Sequence, residues 1–323
     1  MMKQRKIGGS DVLSSVFGVG CNKLLDPSNP DMVKTANDAL DLGMNQFDCA
    51  DAYGGGLAEE FLGQVVQSRR NEAVIVSKFG VVSSTDAQTR MLDTSPSYVR
   101  QACERSLQRL RTDHIDLYYQ HRMNPSVPIE DTVGAMAELV VAGKIRAIGL
   151  CNTTPDFIRR AHAVYPLAAV QMEYSLMARE VEAEILPLCR ELGITFVAYG
   201  PLTYAFLTGA VRSKADLPQG DMFRHRQSRF EDDNIGHNIQ MLETLTAIGA
   251  EVGATPTQVA LAWCLYRPFD VLPIPGSTKP HHLHENAAAA AVALNADHVA
   301  ELDNAFAYGA AKGDGAGALT PTN

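Results

Sequence analysis

The sequence lacks any apolar run near the roughly 20 residues that a membrane-spanning helix needs. Lys3, Arg5 and Lys6 stand near the start of the chain, but the apolar stretch of a secretory signal does not follow them. No Cys-x-x-Cys pair occurs among the six cysteines, so neither a zinc ribbon nor a dithiol redox site is indicated. These absences predict a soluble, cytoplasmic protein with reduced thiols and no membrane contact.

Positive charge is also scarce. The 323 residues include 28 Lys and Arg against 37 Asp and Glu, which gives a formal net charge of -9. The basic residues are scattered among acidic ones, so no basic face is available for nucleic acid. We therefore expect a small-molecule substrate and no nucleic-acid partner, while the oligomeric state stays open.

Short β-branched runs alternate with segments of helical periodicity. This alternation predicts parallel strands joined by right-handed helical crossovers, and eight such units predict a (β/α)8 TIM barrel. The apolar continuity of the runs is typical of strands that are buried on both faces. The predicted strands are residues 16–20, 44–48, 74–78, 115–119, 147–151, 169–172, 195–199 and 271–275.

Several segments lie outside the repeat. Residues 3–13 predict a hairpin that turns at Gly8-Gly9 and closes the bottom of the barrel. The long connection 201–233 predicts a lid or binding loop. We predict a single domain over residues 1–308, with extra C-terminal helices, and a flexible Gly- and Ala-rich tail over residues 309–323. Three helix starts are marked by a hydroxyl residue followed by proline, at Ser95-Pro96, Thr154-Pro155 and Thr255-Pro256.

Four polar residues follow or end successive predicted strands, where parallel barrels gather their active sites: Asp48, Tyr53, Lys78 and His121. Carbonyl reduction needs a hydride donor and an acid near the oxygen, where negative charge grows. A free tyrosine, with a pKa of about 10, is a weak acid, and a neighbouring ammonium would lower that pKa. Asp48 would fix Lys78, and a neutral His121 would orient the substrate oxygen. No side chain supplies a reductant, so a cofactor must bring the hydride.

Each of these residues alone has an ordinary structural explanation, and only their shared position favours catalysis. A rival hypothesis makes Lys78 a Schiff-base nucleophile of a barrel lyase or isomerase. Asp48 argues against that chemistry because it keeps the lysine protonated. His121 has no second ligand at metal spacing, so no metal site is predicted.

Five blocks of sequence carry a more specific signal. They are residues 47–54 (FDCADAYG) with Glu59, Leu62 and Gly63; residues 106–122 with Arg109-Leu110, Ile115-Asp116-Leu117 and His121-Arg122; residues 143–152 (GKIRAIGLCN); residues 171–175 (QMEYS); and residues 273–279 (PIPGSTK) with Glu285-Asn286. Together they resemble the aldo-keto reductase superfamily, from the first hairpin to about Phe306.

The resemblance implies an NADP(H)-dependent oxidoreductase that acts on aldehydes, ketones or the corresponding alcohols, with NAD(H) as a possible cofactor. It makes Asp48, Tyr53, Lys78 and His121 the catalytic tetrad. The nicotinamide amide would meet Asn152 and Gln171, the ring would stack on Tyr199, and Lys279 would meet a 2′-phosphate. The implied cofactor-binding residues are Gly20, Cys21, Asp48, Cys151, Asn152, Gln171, Tyr199, Gly200, Pro201, Leu202, Ile274, Gly276, Ser277, Thr278, Lys279, His282, Glu285 and Asn286. The implied substrate pocket comprises Asn22, Lys23, Tyr53, His121, Arg122 and Tyr204.

The chain departs from the family pattern in places. Cys151 and Gly200 stand where serine is frequent, and a Gly-Arg-Gly segment is missing after Leu202. His282 stands where related members place an arginine. Some relatives, the potassium-channel beta subunits, couple the barrel to a membrane partner. A non-catalytic NADPH-binding subunit is therefore a further alternative.

Overall fold

The computed structural model describes residues 2–82 and 91–315. Eight parallel strands lie side by side in the order β3-β4-β5-β8-β9-β10-β11-β12, and two antiparallel hairpins, β1-β2 and β6-β7, stand outside this sheet. The predicted barrel is therefore confirmed. In chain order the strands are β1 (Gln4–Lys6), β2 (Leu13–Ser15), β3 (Gly18–Gly20), β4 (Gln46–Asp48), β5 (Val74–Phe79), β6 (Val81–Val82), β7 (Met91–Leu92), β8 (Ile115–Gln120), β9 (Ile145–Cys151), β10 (Ala169–Glu173), β11 (Thr195–Tyr199) and β12 (Val271–Pro273).

A helix follows each barrel strand and packs outside the sheet. The helices are α1 (Pro30–Asp41), α2 (Leu57–Val65), α3 (Pro96–Leu110), α4 (Ile129–Val141), α5 (Pro155–Val164), α6 (Ile185–Leu192), α7 (Met222–His225), α8 (Asp232–Ile239), α9 (Leu242–Val252), α10 (Pro256–Leu265), α11 (Pro280–Ala288) and α12 (Ala296–Ala305). The three predicted starts are confirmed, since the side chains of Ser95, Thr154 and Thr255 each accept a hydrogen bond from the first turn of their helix. No helix in the described part of the chain is long and apolar enough to cross a membrane.

Backbone contacts between its first and last strands close the barrel. Gly20 forms a parallel bridge with Gly276, and its N–H donates to the carbonyl of Pro275 at 3.1 Å. At the opposite end, the β1-β2 hairpin covers the barrel, as the sequence predicts. Its Ile7 and Val12 are buried in the cluster that fills the interior. The N–H of Gly8 donates to the Thr195 hydroxyl at 2.8 Å, at the start of β11.

The connection from β11 to β12 carries the additions to the repeat. It holds the predicted long loop and the extra helices α7, α8 and α9 before α10 completes the unit. The predicted extra C-terminal helix is α12, which packs against α9. The indole N–H of Trp263 in α10 donates to Asp303 of α12 at 3.1 Å, so the last helix is bound to the barrel wall.

The first part of the predicted flexible tail is docked. Asn238 of α8 donates to the Lys312 carbonyl at 2.9 Å and accepts from the Lys312 N–H at 2.8 Å. The Asp314 N–H donates to the Ser228 hydroxyl at 2.7 Å. Residues 309–315 therefore lie along the long loop rather than loosely, and the remainder of the predicted tail, 316–323, lies outside the described residues.

Candidate active site

The fold brings the four strand-end residues together. Asp48 is the last residue of β4, Lys78 is the last but one of β5, and His121 directly follows β8. Tyr53 begins a short 3-10 turn, Tyr53–Gly56, after β4. The register pairs Asp48 with Val76 and Lys78 with Tyr119, so these strand ends are level and their side chains reach one mouth.

Lys78 is the centre of the hydrogen-bond network. Its ammonium is fully buried, donates to Asp48 Oδ1, and donates to the Cys49 carbonyl at 2.7 Å. It also lies 3.3 Å from the Tyr53 hydroxyl. The second carboxylate oxygen of Asp48 accepts from the Gln171 amide at 2.6 Å. Asp48 and the Cys49 carbonyl therefore hold the ammonium within reach of the Tyr53 hydroxyl.

Tyr53 and His121 lie next to each other in the site. Their rings meet edge to face, with centroids 5.7 Å apart. Burial raises the pKa of Tyr53 to about 12, although Lys78 acts to lower it. As expected, the ammonium acts to lower the pKa of Tyr53, but desolvation of the phenolate is the larger effect, so the net shift of the pKa is upward.

Lys78 keeps its proton. Burial disfavours the ammonium, but the nearby Asp48 and Tyr53 together raise its pKa above the ordinary value. A Schiff-base lysine must lose its proton to attack a carbonyl. The surroundings of Lys78 thus oppose the lyase hypothesis, for the reason that the sequence suggests.

The predicted nicotinamide residues lie beside this network. Asn152 follows β9 with a left-handed φ of 48°, and its Oδ1 accepts from the Tyr199 hydroxyl at 2.8 Å. Its Nδ2 donates to the carbonyl of His121 at 3.4 Å. Asn152, Gln171 and Tyr199 thus lie at the ends of three neighbouring strands next to the tetrad. Asn152 and Gln171 carry amide groups of the kind that a carboxamide pairs with.

At the β3–β12 seam the backbone forms a narrow cradle. A Cβ on Gly20 would lie 3.0 Å from the Ile274 carbonyl and 3.3 Å from Gly276 Cα, so a side chain there would crowd this backbone. Beyond Gly276, α11 begins without a side-chain cap. The first N–H groups of such a helix lack intrahelical partners and suit a phosphate. The uncapped helix and the amide set together fit a nicotinamide dinucleotide.

Some predicted cofactor residues are engaged elsewhere. The Lys279 ammonium binds Asp31 of α1 at 2.8 Å on the surface. Glu285 accepts from the Thr255 hydroxyl of α10 at 2.7 Å, and Asn286 is buried. Burial and the neighbouring His281 lower the pKa of His282. The groove that runs from the tetrad to the start of α11 therefore has little unpaired positive charge at its α11 end.

Sequence reasoning missed a buried ion pair at the mouth. Arg229, within the long loop, is 3% exposed and lies 3.7 Å from the Glu173 carboxylate at the end of β10. Its Nη2 donates to the Met177 carbonyl at 3.1 Å. The fold alone unites these residues, and an arginine within a charged loop gives no signal of burial.

A second missed network supports the tyrosine turn from below. Glu59 of α2 is fully buried, accepts from the Ser77 hydroxyl, and pairs with Arg109 of α3 at 2.6 Å. The Arg109 side chain lies against Gly56, where a Cβ would be 2.8 Å from its Cδ. Arg109 therefore helps to fix the turn that carries Tyr53.

The fold and the site place this chain in the class of (β/α)8 barrels whose polar residues gather at the carboxyl ends of the strands. Residues 17–307 match the model of the aldo/keto reductase family. The chain belongs to that family, whose members are oxidoreductases that use nicotinamide cofactors, generally NADP(H), on small carbonyl compounds.

Similar proteins span nearly the whole chain. A probable aldo-keto reductase 1 from Glycine max is 40% identical over 310 residues, which cover 94% of this chain and 89% of that protein. The glycerol dehydrogenase AKR11B4 from Gluconobacter oxydans has a TM-score of 0.87 at 27% identity, with 94% of this chain and 95% of that chain covered. The holo form of aldo-keto reductase AKR11C1 from Bacillus halodurans has a TM-score of 0.79 at 28% identity, with 94% and 96% covered.

Proposed function

We propose that this protein reduces aldehydes or ketones with NADPH, and oxidises the corresponding alcohols in reverse, with Tyr53 as the general acid and base. The observation that carries the proposal is the contact of the Tyr53 hydroxyl with the Lys78 ammonium at 3.3 Å, above the buried pair with Asp48. A nicotinamide dinucleotide, held by the strand-end amides and the start of α11, would supply the hydride for the carbonyl carbon.

The side chains manage the proton. Tyr53 gives its hydroxyl proton to the carbonyl oxygen, so the C=O π bond becomes an O–H bond and a phenolate remains. Lys78 stabilises both the growing negative charge and that phenolate, and Asp48 keeps the ammonium in place. His121, edge-on to Tyr53, orients the oxygen. A proton from solvent then restores the phenol.

NADP(H) is the cofactor that we propose in preference to NAD(H). Lys279 and the uncapped start of α11 stand together at the far end of the groove, where a 2′-phosphate would add two negative charges. Asn152 and Gln171 would bind the carboxamide, and Tyr199 would lie against the nicotinamide ring. Lys279 must exchange its contact with Asp31 for the phosphate.

The test is Tyr53→Phe, with Tyr308→Phe as the control because Tyr308 is 73% exposed. Loss of the acid should reduce kcat by roughly 10²- to 10⁴-fold in a panel of aldehydes, ketones and sugars, followed by NADPH absorbance. The NADPH Kd from calorimetry should stay within about twofold, because the phenol makes no cofactor hydrogen bond in the proposal. Undiminished turnover in the variant would refute the role of Tyr53. A wild type that binds NADPH but reduces nothing would favour the non-catalytic subunit instead.

A further inference from the structure

Arg122 is a positive charge at the mouth that the proposed chemistry does not use. It follows His121 directly, and its side chain is partly buried. Its guanidinium acts electrostatically on Cys151 and Tyr199, which are the last residues of β9 and β11. Its Nη1 is buried and has no hydrogen-bond partner among residues 2–82 and 91–315.

The carboxylates nearest the mouth have other partners. Asp48 binds Lys78 and the Gln171 amide. Glu173 faces Arg229 at 3.7 Å.

In the long loop, Asp221 binds Arg224 at 2.9 Å and Lys23 at 3.6 Å. No ion pair joins any described carboxylate to Arg122. Burial of part of a guanidinium without a counter-ion costs free energy, and an anionic ligand would remove that cost.

We propose that Arg122 binds an anionic group of the substrate, so that this enzyme prefers aldehydes or ketones that carry a carboxylate or a phosphate. The inference rests on the proposed carbonyl reduction and names its substrate class. Arg122 directly follows His121, whose ring packs edge to face on Tyr53, the proposed acid for the carbonyl oxygen. The planar guanidinium can hold a carboxylate through two parallel hydrogen bonds.

The cofactor also carries anionic groups, but its phosphates have their own site. The uncapped start of α11 and Lys279 lie at the β3–β12 seam, whereas Arg122 follows β8. In the sheet β8 is separated from β3 by β4 and β5, and from β12 by β9, β10 and β11. The guanidinium is therefore placed for the substrate rather than for the pyrophosphate.

The experiment compares an acid with its neutral ester, 4-carboxybenzaldehyde with methyl 4-formylbenzoate, in wild type, Arg122→Met and Arg122→Lys. A charge-assisted bidentate contact corresponds to a roughly 10- to 100-fold loss of kcat/KM for the acid in Arg122→Met, with the ester changed less than about threefold. Arg122→Lys should recover only part of the preference, since an ammonium lacks the fork geometry. Arg100→Met, which removes an exposed arginine paired with Glu138, controls for overall charge.

Two further readouts separate the possible failures. Calorimetry with benzoate and the NADP⁺-loaded protein should show at least tenfold weaker binding in Arg122→Met, which tests the anion site without turnover. Equal losses on acid and ester, or no benzoate binding in wild type, overturn the proposal. A weakened NADPH Kd with an unchanged acid-to-ester ratio also overturns it, by assigning Arg122 to the cofactor. An inactive wild type that still binds benzoate through Arg122 would refute carbonyl reduction and leave the anion site standing.

Discussion

Lys78→Met should destabilise the fold as well as stop the chemistry. The ammonium is fully buried, and its removal leaves the Asp48 carboxylate buried without a cation. Breaking a buried pair in this way costs about 3–5 kcal/mol. The Cys49 carbonyl also loses the hydrogen bond that it accepts at 2.7 Å. We therefore expect the free energy of unfolding to fall by ~3–5 kcal/mol, measured by urea unfolding with circular dichroism and Trp263 fluorescence.

The double variant Asp48→Asn with Lys78→Met separates stability from catalysis. An asparagine carries no charge and can still accept from the Gln171 amide, which now binds Asp48 at 2.6 Å. Replacing both members of a buried pair by neutral groups is often close to neutral, so most of the lost stability should return, to within ~1–2 kcal/mol of wild type. The turnover of both variants should stay roughly 10²- to 10³-fold low, because the cation that stabilises the oxyanion is absent.

Lys34→Met is the matched control. Lys34 also pairs with an aspartate, Asp38 at 2.8 Å, but its side chain is 63% exposed. An exposed pair of this kind should change stability by less than ~1 kcal/mol. If Lys78→Met were as mild as Lys34→Met, or if the double variant were no more stable than the single one, the reasoning from a desolvated pair would be refuted.

Three further predictions concern pH, cofactor choice and packing. Since burial raises the pKa of Tyr53 to about 12, the phenol stays protonated below that pH. The kcat for reduction should therefore be flat from about pH 6 to 9. The kcat for alcohol oxidation, which needs the phenolate, should rise with pH. A reduction rate that falls near neutral pH would contradict this. Asp31→Asn frees Lys279 and should improve the NADP⁺-to-NAD⁺ ratio of kcat/KM by about two- to fivefold; an unchanged ratio would remove Lys279 from cofactor selection. Gly63→Ala should destabilise by about 1–3 kcal/mol in urea, because its Cβ would lie 2.2 Å from the Arg109 carbonyl. Gly134→Ala, with no such neighbour, should be neutral or stabilising by up to ~1 kcal/mol, and equal effects would contradict the packing argument.

The strands were predictable because burial on both faces gives each one a continuous apolar run. Their ends were less so, for local reasons. Residue 16 was predicted within the first barrel strand, but the N–H of Val16 donates to the Lys3 carbonyl and extends the hairpin. Met44 donates to the Ala39 carbonyl and completes the end of α1. The last strand ends at Pro273 rather than at residue 275. Pro273 and Pro275 have no N–H to donate to a neighbouring strand.

The described part of the tail, residues 309–315, shows a second use of glycine. Its glycines predict flexibility, yet Gly313, with φ of 81°, lies so close to Arg229 that a Cβ would be 2.5 Å from the Arg229 N. Gly315 lies near the Glu173 carboxylate, and a Cβ there would be 2.9 Å from its oxygen. Glycine is suited both to a flexible backbone and to a backbone that packs closely against its neighbours. The sequence does not distinguish these two uses, whereas the structure does. The Arg229–Glu173 pair could not be predicted from the sequence, because nothing in the local sequence of either residue indicates that it is buried.

In the sequence, Gly200 and the stretch after Leu202, which contains Tyr204, are separate departures from the family pattern, but the structure brings them into contact. Gly200 has φ of 62°, and a Cβ there would lie 3.3 Å from both Cζ and the hydroxyl oxygen of Tyr204. A serine at position 200 would be strained and would press on that ring. Tyr204 itself has a left-handed φ of 54°, as have its neighbours Thr203 and Ala205, so the tight loop turns the tyrosine back over the end of β11. The missing serine therefore leaves room for the Tyr204 ring beside residue 200, and this contact couples the two departures.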